Sequence, residues 1–578
     1  DNTFSNGRYI GNNKNRVATI DITELNFDNS AVEITVTQDG KAIDLKPNFT
    51  AVDGAVDENG DQIGWRMSID YATLGEGDFT FDVAYTDKAK NSNNGWEGDD
   101  VAVNKSFTID NTKPVISVVI TNDSVKNGKY FAADRTATVT IIERNFSKDY
   151  KFDWSGLTFA LDGETLASPT PVITKNDDGT YERVYTIDFS AEGDYTFDVK
   201  YTDLADNLAD TYSCSSVAYK EFTVDKTAPV LDISGVADKS ANNGDVAPVI
   251  TYSDVNFNKD AVSIVLSGIN NGTVNYNGSY ADATDGHGQT YTYANFEKVQ
   301  NVDDIYTLAA KLTDMAGNET EKTITFSANR FGSVYDLATL EKIIGKYLQN
   351  EEDVVFTETN VDSLKKGETK IKLTKNGTPK DLVEGTDYTV TETGGNGQWS
   401  QYKYTINKAL FTDDGRYSIS VYSVDAAGNI NENIDETKKA EISFGVDKTK
   451  PVIVPIDFES DTQYPVEVKT VSVEIKDNLV LEGVKIYLNG SEIKYNNDGE
   501  TYTFDIPEKN EKQNVRIVAV DAAGNEYELL VENFLVSTNL FVRWFNNTPL
   551  FIGSIAGVVI LCGAIVLLVM FKRKKSSK

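Results

Sequence analysis

Apolar residues fall at every second position in short stretches along most of the chain. Phe79, Phe81, Val83 and Tyr85 alternate with polar residues, as do Tyr195, Phe197, Val199 and Tyr201. Tyr306, Leu308, Ala310 and Leu312 keep the same period, and so do Tyr417, Ile419 and Val421. A period of two puts one face of an extended strand on a core and the other in water, so these stretches predict sandwich strands. Two segments depart from it. Leu337, Leu340, Ile344 and Leu348 are spaced near the helical period behind Asp336, a candidate N-cap, and predict a short helix. Residues 550–571 are 22 consecutive positions without a charge. At about 1.5 Å per residue they can cross a hydrocarbon core of about 30 Å.

The polar residues that end these strands repeat as well. An Asp-x-Ala-x-Asn motif closes five strands: Asp87 to Asn91, Asp203 to Asn207, Asp314 to Asn318, Asp425 to Asn429 and Asp521 to Asn525. The copies lie 116, 111, 111 and 96 residues apart, a period that marks tandem units. An earlier strand in each unit runs into Glu24-Leu-Asn26-Phe27, Glu143-Arg-Asn145-Phe146, Asp254-Val-Asn256-Phe257 or Glu358-Thr-Asn360-Val361. A third motif joins units: Asp110-Asn-Thr-Lys-Pro114, Asp225-Lys-Thr-Ala-Pro229 and Asp447-Lys-Thr-Lys-Pro451. Proline donates nothing to a strand ladder, so it suits an entry or edge position between units.

These marks divide the chain into repeats 1–110, 111–225, 226–330, 331–447 (opening on the short helix) and 448–537, a linker 538–549, the apolar span 550–571 and a basic tail 572–578. At the third joint Asn329-Arg-Phe-Gly replaces the Asp-x-Thr-x-Pro linker. Repeat one starts at Asn6-Gly-Arg-Tyr9, which matches Asn127-Gly-Lys-Tyr130 partway into repeat two. Its first strand is missing and no leader is visible, so a processed or truncated chain with further repeats upstream is expected.

Composition narrows the function classes. The formal charge is −34, and Lys572, Arg573, Lys574, Lys575 and Lys578 crowd the other sign into the tail. A surface so acidic repels phosphate backbones, so nucleic-acid binding is not expected, while it does offer oxygen ligands to hard cations. The tail basic residues place that end in the cytoplasm and the long N-terminal part outside, with Trp544 and Phe545 at the interface. No Leu-Pro-x-Thr-Gly wall-sorting motif precedes the span. The two cysteines, Cys214 and Cys562, cannot form a disulfide in each repeat, and one histidine, His287 between glycines, builds neither a catalytic triad nor a polyhistidine zinc site. Repetition itself argues against catalysis, since an active site is normally unique. Trp96, Trp154 and Trp399 are candidates to stack on sugars, although a sandwich Trp more often packs in a core or loop.

The Asp-Ala-Ala-Gly-Asn and Asp-Lys-Thr-Ala-Pro-Val signatures resemble the bacterial Ig-like repeat domains of bacterial surface proteins over about residues 1–537. Gly77-Asp78-Phe79, Gly193-Asp194-Tyr195 and Gly415-Arg416-Tyr417 are similar to the tyrosine corner of immunoglobulin folds. The resemblance implies an all-β chain: tandem immunoglobulin-like β-sandwich domains followed by a single C-terminal transmembrane helix. It also implies a non-enzymatic cell-surface stalk or adhesin role, with an unknown protein or glycan as ligand. Direct recognition by single repeats, or a spacer for an enzyme domain upstream, are the alternatives. Five sandwiches end to end, with strands of up to about ten residues at about 3.3 Å each, would reach on the order of 150 Å.

In an immunoglobulin sandwich the B–C and F–G loops share one pole. The incoming linker should reach that pole too, bringing Asp110 to Glu143, Asn145, Asp203 and Asn207. Asp225 should meet Asp254, Asn256, Asp314 and Asn318, and Asp447 should meet Asp477, Asp521 and Asn525. Several carboxylate and amide oxygens at one joint are what calcium takes, at six to eight oxygens and about 2.3–2.6 Å. The same Asp and Asn residues equally suit Asx turns at strand ends. The third joint lacks the linker Asp and is expected to depend least on calcium and to be the hinge.

Overall fold

The computed structural model describes residues 4–93, 95–97, 104–146 and 157–575, with no side chain described beyond 573. Alternating segments of the second unit form two sheets. In one, Val115–Ile120 pairs with Arg135–Glu143, which pairs with Tyr181–Phe189 and then Val172–Lys175. In the other, the order is Tyr130–Phe131, Glu221–Val224, Gly193–Val199, Leu157–Leu161 and Glu164–Thr165. All neighbours are antiparallel except the two-residue strand Tyr130–Phe131, which runs parallel to Glu221–Val224. The third, fourth and fifth units repeat both sheet orders. The first unit keeps the second sheet, but its other sheet has three described strands and an edge at Val17–Thr23, where the others carry one more strand.

Burial follows the alternation. In Arg135–Glu143 every second residue is buried, and Val139 and Ile141 face Phe159, Phe197 and Phe222 of the opposite sheet. Where disulfide-bonded immunoglobulin domains carry a cysteine, Phe81, Phe197, Leu308 and Ile419 are buried, so apolar packing closes each sandwich. The tyrosine corners are formed. Tyr195 donates its hydroxyl to the Ala191 carbonyl at 2.9 Å, Tyr306 to Val302 at 2.6 Å and Tyr417 to Asp413 at 2.6 Å.

The opening of the fourth unit differs from the expected helix. Val334–Asp336 is a strand, Ala338–Leu340 a single 3-10 turn, and Leu348 belongs to the short strand Tyr347–Leu348. Asp336 does accept from the Ala338 amide at 2.9 Å, but Gly345 at φ 70° ends any helical path and sends the chain into parallel pairing with Ile442–Val446. Leu340 and Ile343 reach the core from the turn, which is the helical spacing without the helix. At the C-terminus, Leu540–Asn546 is helical and a second helix, Thr548–Lys575, contains one apolar stretch of membrane-spanning length, 548–573.

Candidate metal centres at the domain joints

Each joint starts from a backbone device. The linker residue ends the last strand of its own unit and is pinned by that unit's two-residue parallel strand. The Asp110 amide donates to the Ile10 carbonyl at 2.8 Å, Asp225 to Phe131 at 2.9 Å, Asn329 to Asn242 at 2.8 Å and Asp447 to Leu348 at 2.9 Å. The Asn-Gly motif before that strand then touches the next unit. Asn6 Nδ2 donates to the Leu204 carbonyl and Asn127 Nδ2 to the Met315 carbonyl, at 2.8 and 2.7 Å.

On the receiving side the Asp-x-Ala-x-Asn motif folds into one recurrent turn. Asp203 Oδ1 accepts from the amides of Ala205 and Asn207, and its Oδ2 accepts from Asn207 Nδ2 at 2.8 Å. Asp314 with Asn318, Asp425 with Asn429 and Asp521 with Asn525 make the same two bonds to the asparagine. The asparagine amide also reaches across the joint to the linker carbonyl: Asn207 to Asp110 at 2.8 Å, Asn318 to Asp225 at 2.9 Å and Asn525 to Asp447 at 2.7 Å. Turn chemistry and convergence on the joint are thus properties of the same residues.

Three joints gather carboxylates. Asp110, Glu143 and Asp203 each offer an oxygen, and these lie within 4.8 Å of one another; so do oxygens of Asp225, Asp254 and Asp314, and of Asp447, Asp477 and Asp521. Ligands at about 2.3–2.6 Å from one calcium ion lie no more than about 5 Å apart, so oxygens this close can share one ion. Asn145 Nδ2 donates to Asp110 Oδ2, and Asn256 Nδ2 donates to Asp225 Oδ2 at 2.9 Å. The fifth unit has Leu479 at the corresponding place. As a result Asp447 Oδ2 and Asp477 Oδ1 are buried without a hydrogen-bond donor. An unpaired buried charge is costly, and the protonation states reflect it. Burial, reinforced by neighbouring carboxylates, pushes Glu143 up to about 8 and Asp203, Asp254 and Asp447 up to about 6.

Each of these three joints holds a fourth acid that lies outside the repeated motifs. Glu76 accepts from the Asn111 amide and Thr112 hydroxyl at 2.8 and 2.7 Å; Glu192 serves Lys226 and Thr227, and Asp414 serves Lys448 and Thr449, in the same way. Each precedes the Gly-x-Phe/Tyr corner by one residue, so the signal was present: an acid repeating one position before a recognised motif. Glu508 makes the same clamp on Thr538 at the exit of the fifth unit, at 3.0 and 2.9 Å.

Among the described residues the third joint has no such cluster of three acids. The sugar-stacking candidates are otherwise engaged: Trp399 Nε1 donates across that joint to Asp304 at 2.9 Å, and Trp96 packs on Phe81 and donates to Asp82. Trp154 lies outside the described residues. His287 is an exposed turn residue whose Nδ1 contacts the Val255 carbonyl at 2.7 Å.

The family-model match falls on the segment that contains the second joint. Residues 179–329 match the family model of the bacterial Ig-like domain, group 3. The bacterial Ig-like match runs from within the second unit to the linker residue of the third, and the sheet orders it covers recur in the fourth and fifth units. No curated protein matches the sequence. Solved structures similar to the chain include the tetra-tandem repeat in the extending region of a large adhesion protein (16% identity, 74% of this chain, 100% of that chain, TM-score 0.30). The protocadherin γB4 extracellular domain is another (10% identity, 91% of this chain, 79% of that chain, TM-score 0.24). A fibronectin(III)-like module structure from Clostridium thermocellum CbhA covers 36% of this chain and 96% of its own, at 13% identity and TM-score 0.19. At these scores the likeness bears on neither joint geometry nor ligand.

Proposed function

We propose that the five bacterial Ig-like units form a non-enzymatic surface stalk, tethered by the helix over 548–573 and braced by calcium at the first, second and fourth joints. The observation that carries the calcium reading is the fourth joint. Asp447 Oδ2 and Asp477 Oδ1 are buried beside Asp521 with no donor between them, a placement that a divalent cation would neutralise. The Thr449 amide and Asn525 occupy only the other oxygens of Asp447. Asn145 and Asn256 can add an oxygen each by turning their amides over. The basic residues Lys572 to Lys575 after the span support an extracellular N-terminal part.

The test is thermal unfolding of the full chain in detergent, with millimolar calcium and with excess chelator. Calcium is expected to raise the melting temperature by several degrees, and Asp447→Ala to remove the part due to the fourth joint. Superimposable curves would leave these motifs as turn chemistry alone.

A second reading, direct recognition, has one observation in its favour. In the third unit the exposed Tyr280 lies against Tyr291, ring centroids 4.6 Å apart and planes tilted by 47°, beside a groove of about 310 Å³ that Tyr276 and Asn275 also line. An exposed tyrosine ring at the edge of a groove suits a sugar face. Binding to a glycan array that disappears in Tyr280→Ala would favour it.

A further inference from the structure

The third joint solves the same packing problem with different atoms. Asn329 stands where the other linkers have Asp110, Asp225 and Asp447, and it is fully buried. Its Nδ2 donates to Asn360 Oδ1 at 2.8 Å, Asp362 Oδ2 at 2.9 Å and Asp425 Oδ2 at 3.0 Å. A single NH2 group therefore sits at the centre of three oxygens contributed by the next unit, its partial positive charge facing two carboxylates. Asp425 Oδ2 accepts from Asn360 and Asn429 as well, at 3.0 and 2.9 Å, so it does not lack donors.

The surrounding charges are settled in the same local way. Glu358, at the place of Glu143, turns from the joint and accepts from the hydroxyls of Ser333, Ser423 and Tyr404 at 2.6, 2.5 and 2.9 Å. The corner acid Asp303 pairs with Arg330 at 2.9 Å, both nearly inaccessible to water. Within the fourth unit Lys438 Nζ donates to the Phe331 and Ser333 carbonyls at 2.6 and 2.8 Å, and Trp399 ties that unit to Asp304 of the third.

We infer that Asn329 is the residue that exempts this joint from cations: its amide takes the position that a metal would fill, and the third and fourth units form a pair whose mutual geometry survives chelation. The inference rests on the calcium reading of the other three joints and makes the linker residue the determinant of which joints respond. An Asp at 329 would place a third carboxylate beside Asp362 and Asp425, recreating the arrangement found at the other joints.

The experiment uses the full chain in detergent with calcium as the only ligand. Equilibrium dialysis should count three bound ions, one per acidic cluster, and Asn329→Asp should add a fourth. Distances are read between spin labels at Ser279→Cys and Thr393→Cys across the third joint, and at Asp177→Cys and Ser279→Cys across the second. Cys214→Ser and Cys562→Ser remove the native thiols. In chelator the second joint should broaden while the third stays narrow. Asn329→Asp should make the third broaden in chelator and narrow again in calcium, and Asn329→Ala should broaden it in both without adding an ion. Broadening of the wild-type third joint in chelator overturns the inference and leaves the calcium reading intact. So does an Asn329→Asp protein that keeps three ions and a calcium-insensitive third joint. A wild-type chain with no bound calcium, and a second joint indifferent to it, overturns the calcium reading and this inference with it.

Discussion

Glu143 shows how much a single residue carries at these joints. It ends a buried strand, caps the Asn145 amide through Oε1 at 2.7 Å, and lies beside Asp110 and Asp203. Burial first, then the two neighbouring acids, raise it to about 8 from an ordinary 4.5. The sign of the consequence follows from proton linkage. Without a cation the folded state holds a proton that the unfolded state releases, so this contribution is fully present below about pH 4.5 and lost as pH rises through about 8. Its size is on the order of a few kcal/mol. In chelator, stability should therefore fall from pH 5 to pH 9, and Glu143→Gln should flatten the part due to the first joint. In calcium the order reverses, because the ion displaces the proton: affinity should tighten as pH rises from 6 to 8. Parallel calcium titrations at those two pH values, with equal affinities, would count against metal binding there.

At the scale of elements, the strands and their end motifs were legible because their determinants are local. Alternation in Gly193–Val199 specifies its buried face, and Phe197 fills the place of a disulfide. Phe197→Ala should cost about 3–5 kcal/mol through lost burial and the cavity left behind, read as earlier unfolding of the second unit by hydrogen exchange. The Asp-x-Ala-x-Asn turn was legible for the same reason, since both partners lie within five residues. What escaped was non-local. The Leu337–Leu348 spacing suggested a helix, yet pairing with Ile442–Val446, nearly a hundred residues away, decided the backbone. The corner acids were missed because their partners lie more than thirty residues on, as for Glu192 and Lys226. Glu192→Ala should free the Lys226 amide and Thr227 hydroxyl at a cost of about 1–2 kcal/mol. Exchange at the Lys226 amide should then speed up about five- to thirty-fold, with the strands of the second unit unaffected. Loss of one Asp from the linker makes the third joint look like a hinge in the sequence. Asn329 instead donates to Asn360, Asp362 and Asp425 of the next unit while Arg330–Asp303 holds the linker within its own, and these partners lie 31 to 96 residues away, beyond the reach of a local motif.

For the molecule as a whole, the distinction that matters is between specific bracing and general charge screening. The chain carries −34 at neutral pH, so its units repel one another and any counterion atmosphere would favour compaction to some extent. Exposed charges separated by more than about 10 Å are screened by 0.1 M salt, whereas the oxygens of the three clusters lie within 4.8 Å of one another and are largely buried. Monovalent salt can therefore quiet the surface but cannot neutralise the joints. Magnesium is expected to substitute poorly as well, since it demands octahedral ligands at about 2.0–2.1 Å and gives up water reluctantly. Small-angle scattering of the full chain should show the longest dimension in calcium and a shorter, broader distribution in chelator. Neither 0.5 M sodium chloride nor equal magnesium should restore the calcium profile. If sodium chloride alone restores it, general screening of the acidic joints accounts for the extension, and the clusters are no more than the ends of well-made turns.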